Sequence, residues 1–150
     1  MRVRVSAVFE QDREILCMKY IYGGKEVFSL PGGGVDKDIP LQEAIISEWR
    51  NELGVRLEIG NVIMIGEAPA KKNHPQTLHI VFDAVDVHGT PKIRSEHTKS
   101  IDIAWVAVDK LRTTPLYPDI GKKLYEHLTG GQAGAGSIEF IGNCMERGFW

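Results

Sequence analysis

Apolar and polar side chains alternate in several segments of the chain, and this period of two predicts β-strands. The first segment covers residues 3–9, and the second covers residues 14–20 after a polar turn at Gln11-Asp12-Arg13. Further strands are predicted over residues 26–30, 61–67, 77–87 and 101–108. His88-Gly89-Thr90 predicts the turn that precedes the last of these.

A helical period replaces the alternation over residues 41–53. Spaced four residues apart, the apolar positions drift only about 40° per step around a helix, so they form one face. These positions are Leu41, Ile45, Trp49 and Leu53. Asp38 is the predicted N-cap, Pro40 suits the first turn, and Gly54 predicts a left-handed C-terminal stop. We therefore expect a helix whose apolar face contacts the core.

Helical spacing returns near the C-terminus, where Ile120, Leu124 and Leu128 lie between Pro118 and Gly130-Gly131. Strands thus surround two helices, a pattern compatible with either an α/β or an α+β fold. A chain of 150 residues, 25% of them charged, can bury a single core. We expect one domain over residues 1–150.

Two glutamates lie on the apolar side of the first predicted helix. Relative to Ile45, Glu52 falls about 20° and Glu48 about 60° away, whereas Glu43 and Arg50 fall on the opposite face. Inward-pointing like charges are costly unless they are protonated, matched by a cation or open to a cleft. A divalent cation is the simplest solution, and a helix whose glutamates reach solvent at a rim is the alternative.

Three consecutive glycines, Gly32-Gly33-Gly34, lie shortly before this helix. Without side chains they allow the backbone to approach a ligand or a metal closely. Mg²⁺ prefers one or two carboxylates together with waters and substrate phosphates. The glycines and the glutamate pair together predict a site for a divalent cation and a phosphate.

Residues 31–55 resemble the Nudix box, G-x5-E-x7-R-E-U-x-E-E-x-G-U, in which U is a bulky apolar residue. The frequent L-P-G-G segment that precedes the box is present as Leu30-Pro31-Gly32-Gly33. The matching box positions are Gly33, Glu48, Trp49, Glu52, Gly54 and Val55. Ile39 replaces the first glutamate, Ser47 the arginine, and Asn51 the first of the paired glutamates.

The resemblance implies an α+β fold, the Nudix α/β/α sandwich with a mixed sheet. It also implies hydrolysis of a pyrophosphate bond with Mg²⁺ or Mn²⁺ as cofactor and a small-molecule nucleotide as substrate. Glu48 and Glu52 would bind the metal with the carbonyl of Gly32, while Gly33 and Gly34 would contact the substrate. A nucleoside diphosphate linked to another group, similar to ADP-ribose, is preferred over a nucleoside triphosphate.

Two further residues take roles only through the resemblance. Glu96 lies in the loop region where many Nudix enzymes carry an additional carboxylate, so either Glu48 or Glu96 would accept the proton of the attacking water. A solvated loop glutamate is the alternative for Glu96. Lys19 lies where the family often has a basic side chain facing the phosphates, and a surface lysine is its alternative.

The departures from the box differ in weight. In the family the first glutamate and the arginine form a supporting ion pair, so Ile39 and Ser47 together remove two charges without leaving one unpaired. Asn51 offers an amide where the family has a carboxylate, which predicts a cation site that is weaker or holds fewer ions. Because Glu48 and Glu52 remain, we expect an active but atypical enzyme. A nucleotide-binding or regulatory module without hydrolysis is the alternative.

Composition adds few constraints on partners or location. The formal net charge of −2 gives no bias toward nucleic acid, and no apolar segment is long enough to span a bilayer. Cys17 and Cys144 form no C-x-x-C motif, so we expect free thiols and a cytoplasmic location. The short basic run Lys71-Lys72 precedes His74 and would attract an anionic substrate, or is an ordinary solvated loop.

A C-terminal tail is predicted over about residues 130–150. Its first part, residues 130–136, is rich in glycine and suits a flexible connection. Residues 137–141 are strand-like, and Phe149-Trp150 ends the chain with two aromatics that are costly to leave in water. The tail either packs on its own core, or reaches a second subunit to form a homodimer or covers the substrate cleft.

Overall fold

The computed structural model describes residues 1–130 and 137–147. Within them the chain forms ten strands, two α-helices and a 3₁₀-helix at Val108–Lys110. The strands are β1 (Arg2–Val8), β2 (Glu10–Gln11), β3 (Glu14–Tyr22), β4 (Lys25–Ser29), β5 (Gly32–Gly34), β6 (Arg56–Ala68), β7 (Thr77–His88), β8 (Asp102–Ala107), β9 (Leu116–Tyr117) and β10 (Glu139–Asn143). The helices are α1 (Leu41–Leu53) and α2 (Gly121–Thr129).

The described strands form two sheets, and both are mixed. The first has the order β10-β6-β7-β1-β5, with β10/β6 and β7/β1 parallel and the other pairs antiparallel. The second has the order β2-β3-β4-β9, with β8 also paired to β3, and β4/β9 is its parallel pair. The α+β architecture with mixed sheets that we expected is confirmed.

The two helices pack into two separate apolar clusters. The α1 stripe packs with side chains of β1, β3, β6 and β7, including Val5, Leu16, Met18, Ile80 and Phe82. Leu124 of α2 packs into the other cluster, which includes Ile15, Leu30, Met64, Val81 and Cys144. Alternating faces of the central strands therefore pack against the two helices, which gives the predicted sandwich.

No helix of the described residues is long and apolar enough to cross a membrane.

The first helix has the predicted bounds but not the predicted N-cap. Gly54 has φ 68°, and its N–H donates to the carbonyl of Arg50, so the left-handed stop is confirmed. At the other end Pro40 is the N-cap, without a side-chain capping bond, and the predicted Asp38 cap is wrong. Asp38 lies two residues further out with φ 66°, in a turn where the N–H of Ile39 donates to Asp36.

The largest difference in strand length concerns β6, which begins at Arg56 although the pattern predicted residue 61. Its pairing with β7 shifts register between Glu58 and Ile59 and again up to Met64. Each shift interrupts the period of two by which a strand is recognised. Residues 56–59 alternate, but Gly60 and Asn61 interrupt the alternation where the register shifts, so the sequence predicted only the later part of β6.

The described part of the tail folds onto its own chain. β10 pairs in parallel with β6, Cys144 is buried, and the Arg147 Nε donates to the carboxylate of Asp119 at 2.8 Å. This arrangement agrees with the alternative in which the tail packs on its own core. Most of the glycine-rich connection and Phe149-Trp150 lie outside the described residues, and the homodimer stays a prediction.

Both cysteines are free, as expected, and both are buried. Burial raises the pKa of Cys144 to about 11, and it also raises the pKa of Cys17. Cys144 packs tightly against β6, because a Cβ at Gly66 would lie 2.8 Å from the Cβ of Cys144. The bare backbone of Gly66 therefore provides the space in which the tail docks.

Ending the chain after Gly130 should destabilise the domain, because it uncovers β6 and removes the buried Cys144. Loss of several buried apolar groups costs about 2–5 kcal/mol, so we expect the melting temperature to fall by roughly 10 °C. Differential scanning calorimetry measures this shift. A chain ending after Arg147 is the control, and equal melting temperatures for both truncations would contradict the docking of the tail.

Candidate active site

Helix α1 is fixed to the glycine turn by the buried side chain of Trp49. Its Nε1 donates to the carbonyl of Pro31 at 3.1 Å. On the other side of the turn, β5 pairs so closely with β1 that a Cβ at Gly32 would lie 2.0 Å from the carbonyl oxygen of Val5. The turn is therefore held between a strand and a helix, and position 32 has no room for a side chain.

The carboxylate of Glu48 lies directly against the backbone of Gly33. A Cβ at position 33 would lie 2.5 Å from the Glu48 Cδ and under 3 Å from both carboxylate oxygens. At Gly34 the nearest group to such a Cβ is the guanidinium of Arg2, at 3.1 Å. The close approach that the three glycines predicted is thus observed, and the approaching groups are a carboxylate and a guanidinium.

Glu52 lines an open depression of about 460 Å³. Tyr20 and Tyr22 of β3 form one side of it, and the loop of residues 95–99, which includes Glu96, forms another. The two tyrosine rings stack with centroids 6.2 Å apart. The fold therefore brings Glu52 and Glu96, which are 44 positions apart in the sequence, to one depression.

The two helix carboxylates have raised pKa values. Burial raises the pKa of Glu52 to about 7, and the charge of Glu48 adds to this shift, whereas Arg4 and a hydrogen bond from Thr98 oppose it. Burial also raises the pKa of Glu48, with Asp36 adding to the shift and Arg4 opposing it. A raised pKa is expected for a carboxyl group whose negative charge is not balanced by a nearby cation.

Arg4 of β1 is the buried cation near these carboxylates, and sequence reasoning did not identify it. Its Nη2 donates to the Ser29 hydroxyl at 3.1 Å and to the carbonyl of Leu30 at 3.0 Å. Its Cζ lies 4.8 Å from the ring centroid of Tyr117. Burial lowers its pKa, while Tyr117, Tyr20 and both helix glutamates act in the opposite direction.

The position of Glu96 matches the expectation only in part. Its side chain is exposed and forms an ion pair with the Arg94 Nε at 3.4 Å. A backbone hydrogen bond, followed by the Arg94 and His97 charges, lowers the pKa of its carboxyl, although slight desolvation opposes this shift. Glu96 thus shares the depression with Glu52 but is a weaker base than an ordinary glutamate.

Lys19 is not brought together with the carboxylates. Its Nζ forms an ion pair with Glu26 at 3.8 Å on the neighbouring strand β4. Successive side chains of a strand point to opposite faces, and Tyr20 occupies the face toward Glu52. A role for Lys19 at the phosphates stays a prediction that no contact in the described residues supports.

A comparison with known families identifies the group to which the chain belongs. The profile of the NUDIX domain matches residues 1–128. The chain belongs to the Nudix family. It is therefore a Nudix hydrolase, and its general activity is hydrolysis of a pyrophosphate bond in a nucleotide-like substrate.

Similar proteins agree with this family assignment. An ADP-ribose pyrophosphatase of Methanocaldococcus jannaschii is 25% identical over 118 residues, which cover 66% of this chain and 70% of that protein. The MutT NUDIX hydrolase of Burkholderia pseudomallei has a TM-score of 0.70 and 25% identity, covering 85% of this chain and 98% of that one. The E. coli ORF135 protein has a TM-score of 0.73 at 21% identity, covering 91% and 94%, and shows the fold alone.

The Nudix box of this chain has a polar contact where the family pattern has an ion pair. Ile39 is exposed, while the Ser47 hydroxyl accepts weak hydrogen bonds of 3.4 Å from the side chains of Arg50 and Asn51. No charge is left unpaired by the two replacements. The Asn51 amide points back along the helix toward Ser47, half-buried beside Glu48.

The residues present fit a divalent cation at the Nudix box. Glu48 and Glu52 offer carboxylate oxygens, and Arg4 alone does not offset their raised pKa values. A second group of possible ligands, Glu58, Asp86 and His88, lies on β6 and β7 away from the glycine turn. All three side chains are exposed and Glu58 already pairs with His88 at 3.3 Å, so this group gives no comparable reason to bind a cation.

The buried polar groups next to the Nudix box include a histidine that sequence reasoning missed. His79 of β7 is 1% exposed, and neither ring nitrogen has a partner within the described chain. Its ring meets Tyr117 edge-on at 5.3 Å. Burial, followed by the charges of Arg4 and Arg2, lowers its pKa to about 3, so the ring is neutral near pH 7.

The raised pKa of Glu52 predicts a pH-dependent stability. Its pKa is about 7 in the folded protein and 4.5 ordinarily, so the folded state binds more protons between these values. Stability must then fall as the pH rises through that window. We expect Glu52→Gln to reduce this fall in metal-free protein, measured by thermal unfolding at several pH values in EDTA.

Glu43→Gln, on the exposed face of the same helix, is the control for this measurement. Addition of Mg²⁺ should raise the melting temperature of the unaltered protein more at the upper end of the window, where Glu52 is ionised. A pH profile of Glu52→Gln identical to that of the unaltered protein would contradict the assigned titration.

Proposed function

We propose that the chain hydrolyses the pyrophosphate bond of a nucleoside diphosphate linked to another group, with Mg²⁺ or Mn²⁺ bound by Glu48 and Glu52. The observation that carries this proposal is the pair of inward carboxylates with raised pKa values, one of them against the bare backbone of Gly33. Such a pair is stable in its ionised form only with a cation beside it.

Each residue has a defined task in this proposal. Glu48 and Glu52 hold the cation, aided by the carbonyl of Gly32, while Gly33 and Gly34 leave room for the pyrophosphate at the turn. A bound Mg²⁺ supplies positive charge to the phosphate oxygens and lowers the pKa of water. Trp49 keeps the helix at a fixed distance from the turn through its bond to Pro31.

The general base is Glu48 in preference to Glu96. A general base must lie within hydrogen-bond reach of the water that it deprotonates. The Glu48 carboxylate lies against the backbone of Gly33 at the turn, whereas Glu96 is exposed and paired with Arg94. Glu96 then has a different task, which is to hold Arg94 and the edge of the depression.

The substrate proposal is supported by a second cavity next to the first. This cavity has a volume of about 340 Å³ and is lined by Arg2, Tyr22 and Tyr117 together with the basic loop residues Lys71 and His74. Tyr22 also lines the depression of Glu52, so the two spaces meet at one side chain. An elongated substrate would place its pyrophosphate at the carboxylates and its nucleoside in the second cavity.

Two substrate classes fit this arrangement. An ADP-ribose-like compound is favoured by the relative that is named an ADP-ribose pyrophosphatase. A nucleoside triphosphate is the other candidate, which the resemblance of the Nudix box leaves open. A panel of both classes incubated with Mg²⁺ and with Mn²⁺ distinguishes them by their products.

A nucleotide-binding or regulatory module without hydrolysis is the second candidate function. Asn51 favours it, because the family has a carboxylate at that position. The retained pair Glu48 and Glu52 opposes it, since a non-catalytic domain gains no stability from half-buried like charges. A small-molecule partner in place of nucleic acid, a cytoplasmic location and a homodimer complete the proposal as predictions.

Glu52→Gln should abolish divalent-dependent hydrolysis with little change in fold, because it removes a ligand charge at nearly constant volume. Mutation of a residue that only hydrogen-bonds to a metal ligand typically lowers metal affinity or activity about 10–100-fold. For a ligand itself we therefore expect kcat/KM to fall by about 100-fold or more. Phosphate release from the substrate panel measures the loss. Glu43→Gln is the matched control, and full turnover by Glu52→Gln would overturn the metal assignment.

Asn51→Glu should raise the affinity for Mg²⁺ several-fold, since it adds a carboxylate within one helical turn of both Glu48 and Glu52. Isothermal titration calorimetry with Mg²⁺ measures the change. Asn51→Gln, with the same length and no charge, is the control. Equal affinities for the two variants would mean that position 51 does not reach the cation.

A further inference from the structure

Arg4 and His79 form a buried pair of polar side chains that the proposed catalysis does not use. They are register partners on the parallel strands β1 and β7, so they lie side by side on one face of the sheet. The Arg4 Nη1 and both ring nitrogens of His79 are buried without a partner in the described residues. Buried polar groups are nearly always hydrogen-bonded, so a bound polar group that reached these three atoms would be stabilised by them.

The pair lies beneath one wall of the second cavity. Arg2 and Thr77, the next register pair along the same face, both line that cavity. Tyr117 lines it as well, and its ring lies over the Arg4 guanidinium and against the His79 ring. Tyr117 therefore separates the polar pair from the cavity, and a turn of its side chain would open one to the other.

The cavity has the walls of a site for a flat ring. Tyr22 offers an aromatic face, and Pro69, Pro75 and Met145 offer apolar contacts. Ligand sites of this kind combine apolar walls with a few polar groups that fix orientation. A ring that enters where the Tyr117 side chain turns aside would meet the Arg4 guanidinium and a ring nitrogen of His79 at its edge.

We propose that Arg4 and His79 read the edge of a nucleobase that carries a ring carbonyl next to an N–H, as in guanine or uracil. The Arg4 Nη1 donates to the carbonyl oxygen, and a ring nitrogen of His79 accepts from the N–H. This inference rests on the proposed function, because it names the base of that substrate.

A second phosphate group fits the pair less well. A phosphate offers only acceptors near neutral pH, so an unprotonated imidazole nitrogen would face it with a lone pair. Burial and the charges of Arg4 and Arg2 keep His79 neutral, so one of its nitrogens is always an acceptor. A carbonyl beside an N–H uses the Arg4 donor and this acceptor together, and arginine to a guanine carbonyl is a recurrent contact in base recognition.

The test is calorimetric titration of the full chain with GMP, UMP, AMP and CMP, and with ribose 5-phosphate as the probe for phosphate alone. These ligands contain no pyrophosphate bond, so the result is independent of turnover and of the proposed hydrolysis. We expect GMP and UMP to bind roughly tenfold more tightly than AMP and CMP. Four equal affinities, or ribose 5-phosphate binding as tightly as GMP, would overturn the proposal.

His79→Phe separates recognition from a structural role. Phenylalanine keeps the ring contact with Tyr117 and removes both unpartnered nitrogens, so we expect an equal or higher melting temperature together with loss of the base preference. Arg4→Met, which keeps the aliphatic stem, should lose the preference in the same way and serves if His79→Phe does not fold. His88→Phe, exposed on the same strand, is the control. Retention of the preference in either buried variant contradicts the inference.

Discussion

The site depends on the fixed contact between helix α1 and the glycine turn. Trp49 joins the helix to the carbonyl of Pro31, and the Glu48 carboxylate rests on the backbone of Gly33. Gly32 makes this possible from the other side, because only a glycine lets β5 pair so closely with β1. Any side chain at position 32 or 33 would displace the turn or the Glu48 carboxylate. The position of this carboxylate therefore depends on the two glycines of the turn.

This contact creates an electrostatic imbalance that a ligand can resolve. Glu48 and Glu52 are held partly out of water, and Arg4 is the buried cation whose charge acts on both. Arg4 is also the register partner of His79, and its Nη1 has no partner in the described residues. In the proposed account the same buried guanidinium therefore acts on the cation site and recognises the base.

The sequence predicted the elements whose periodicity was regular and the residues that carry the Nudix box. Helix α1 was predicted with its bounds because Leu41, Ile45, Trp49 and Leu53 repeat without interruption, whereas Gly60 and Asn61 interrupt the alternation of β6 where its register shifts. Arg4 and His79 were missed because alternation makes the polar positions of a strand look solvent-facing. Arg2 and Arg4 alternate along β1 in the same way as Thr77 and His79 alternate along β7. These four polar residues can be assigned to one face of the sheet only once the parallel register of the two strands is known.

The central claim is that Glu48 and Glu52 form the cation site, and anomalous diffraction from crystals soaked in Mn²⁺ tests it most directly. We expect an anomalous peak beside both carboxylates at the turn of Gly32 and Gly33. No peak there, or a peak only at Glu58, Asp86 and His88, would contradict the claim.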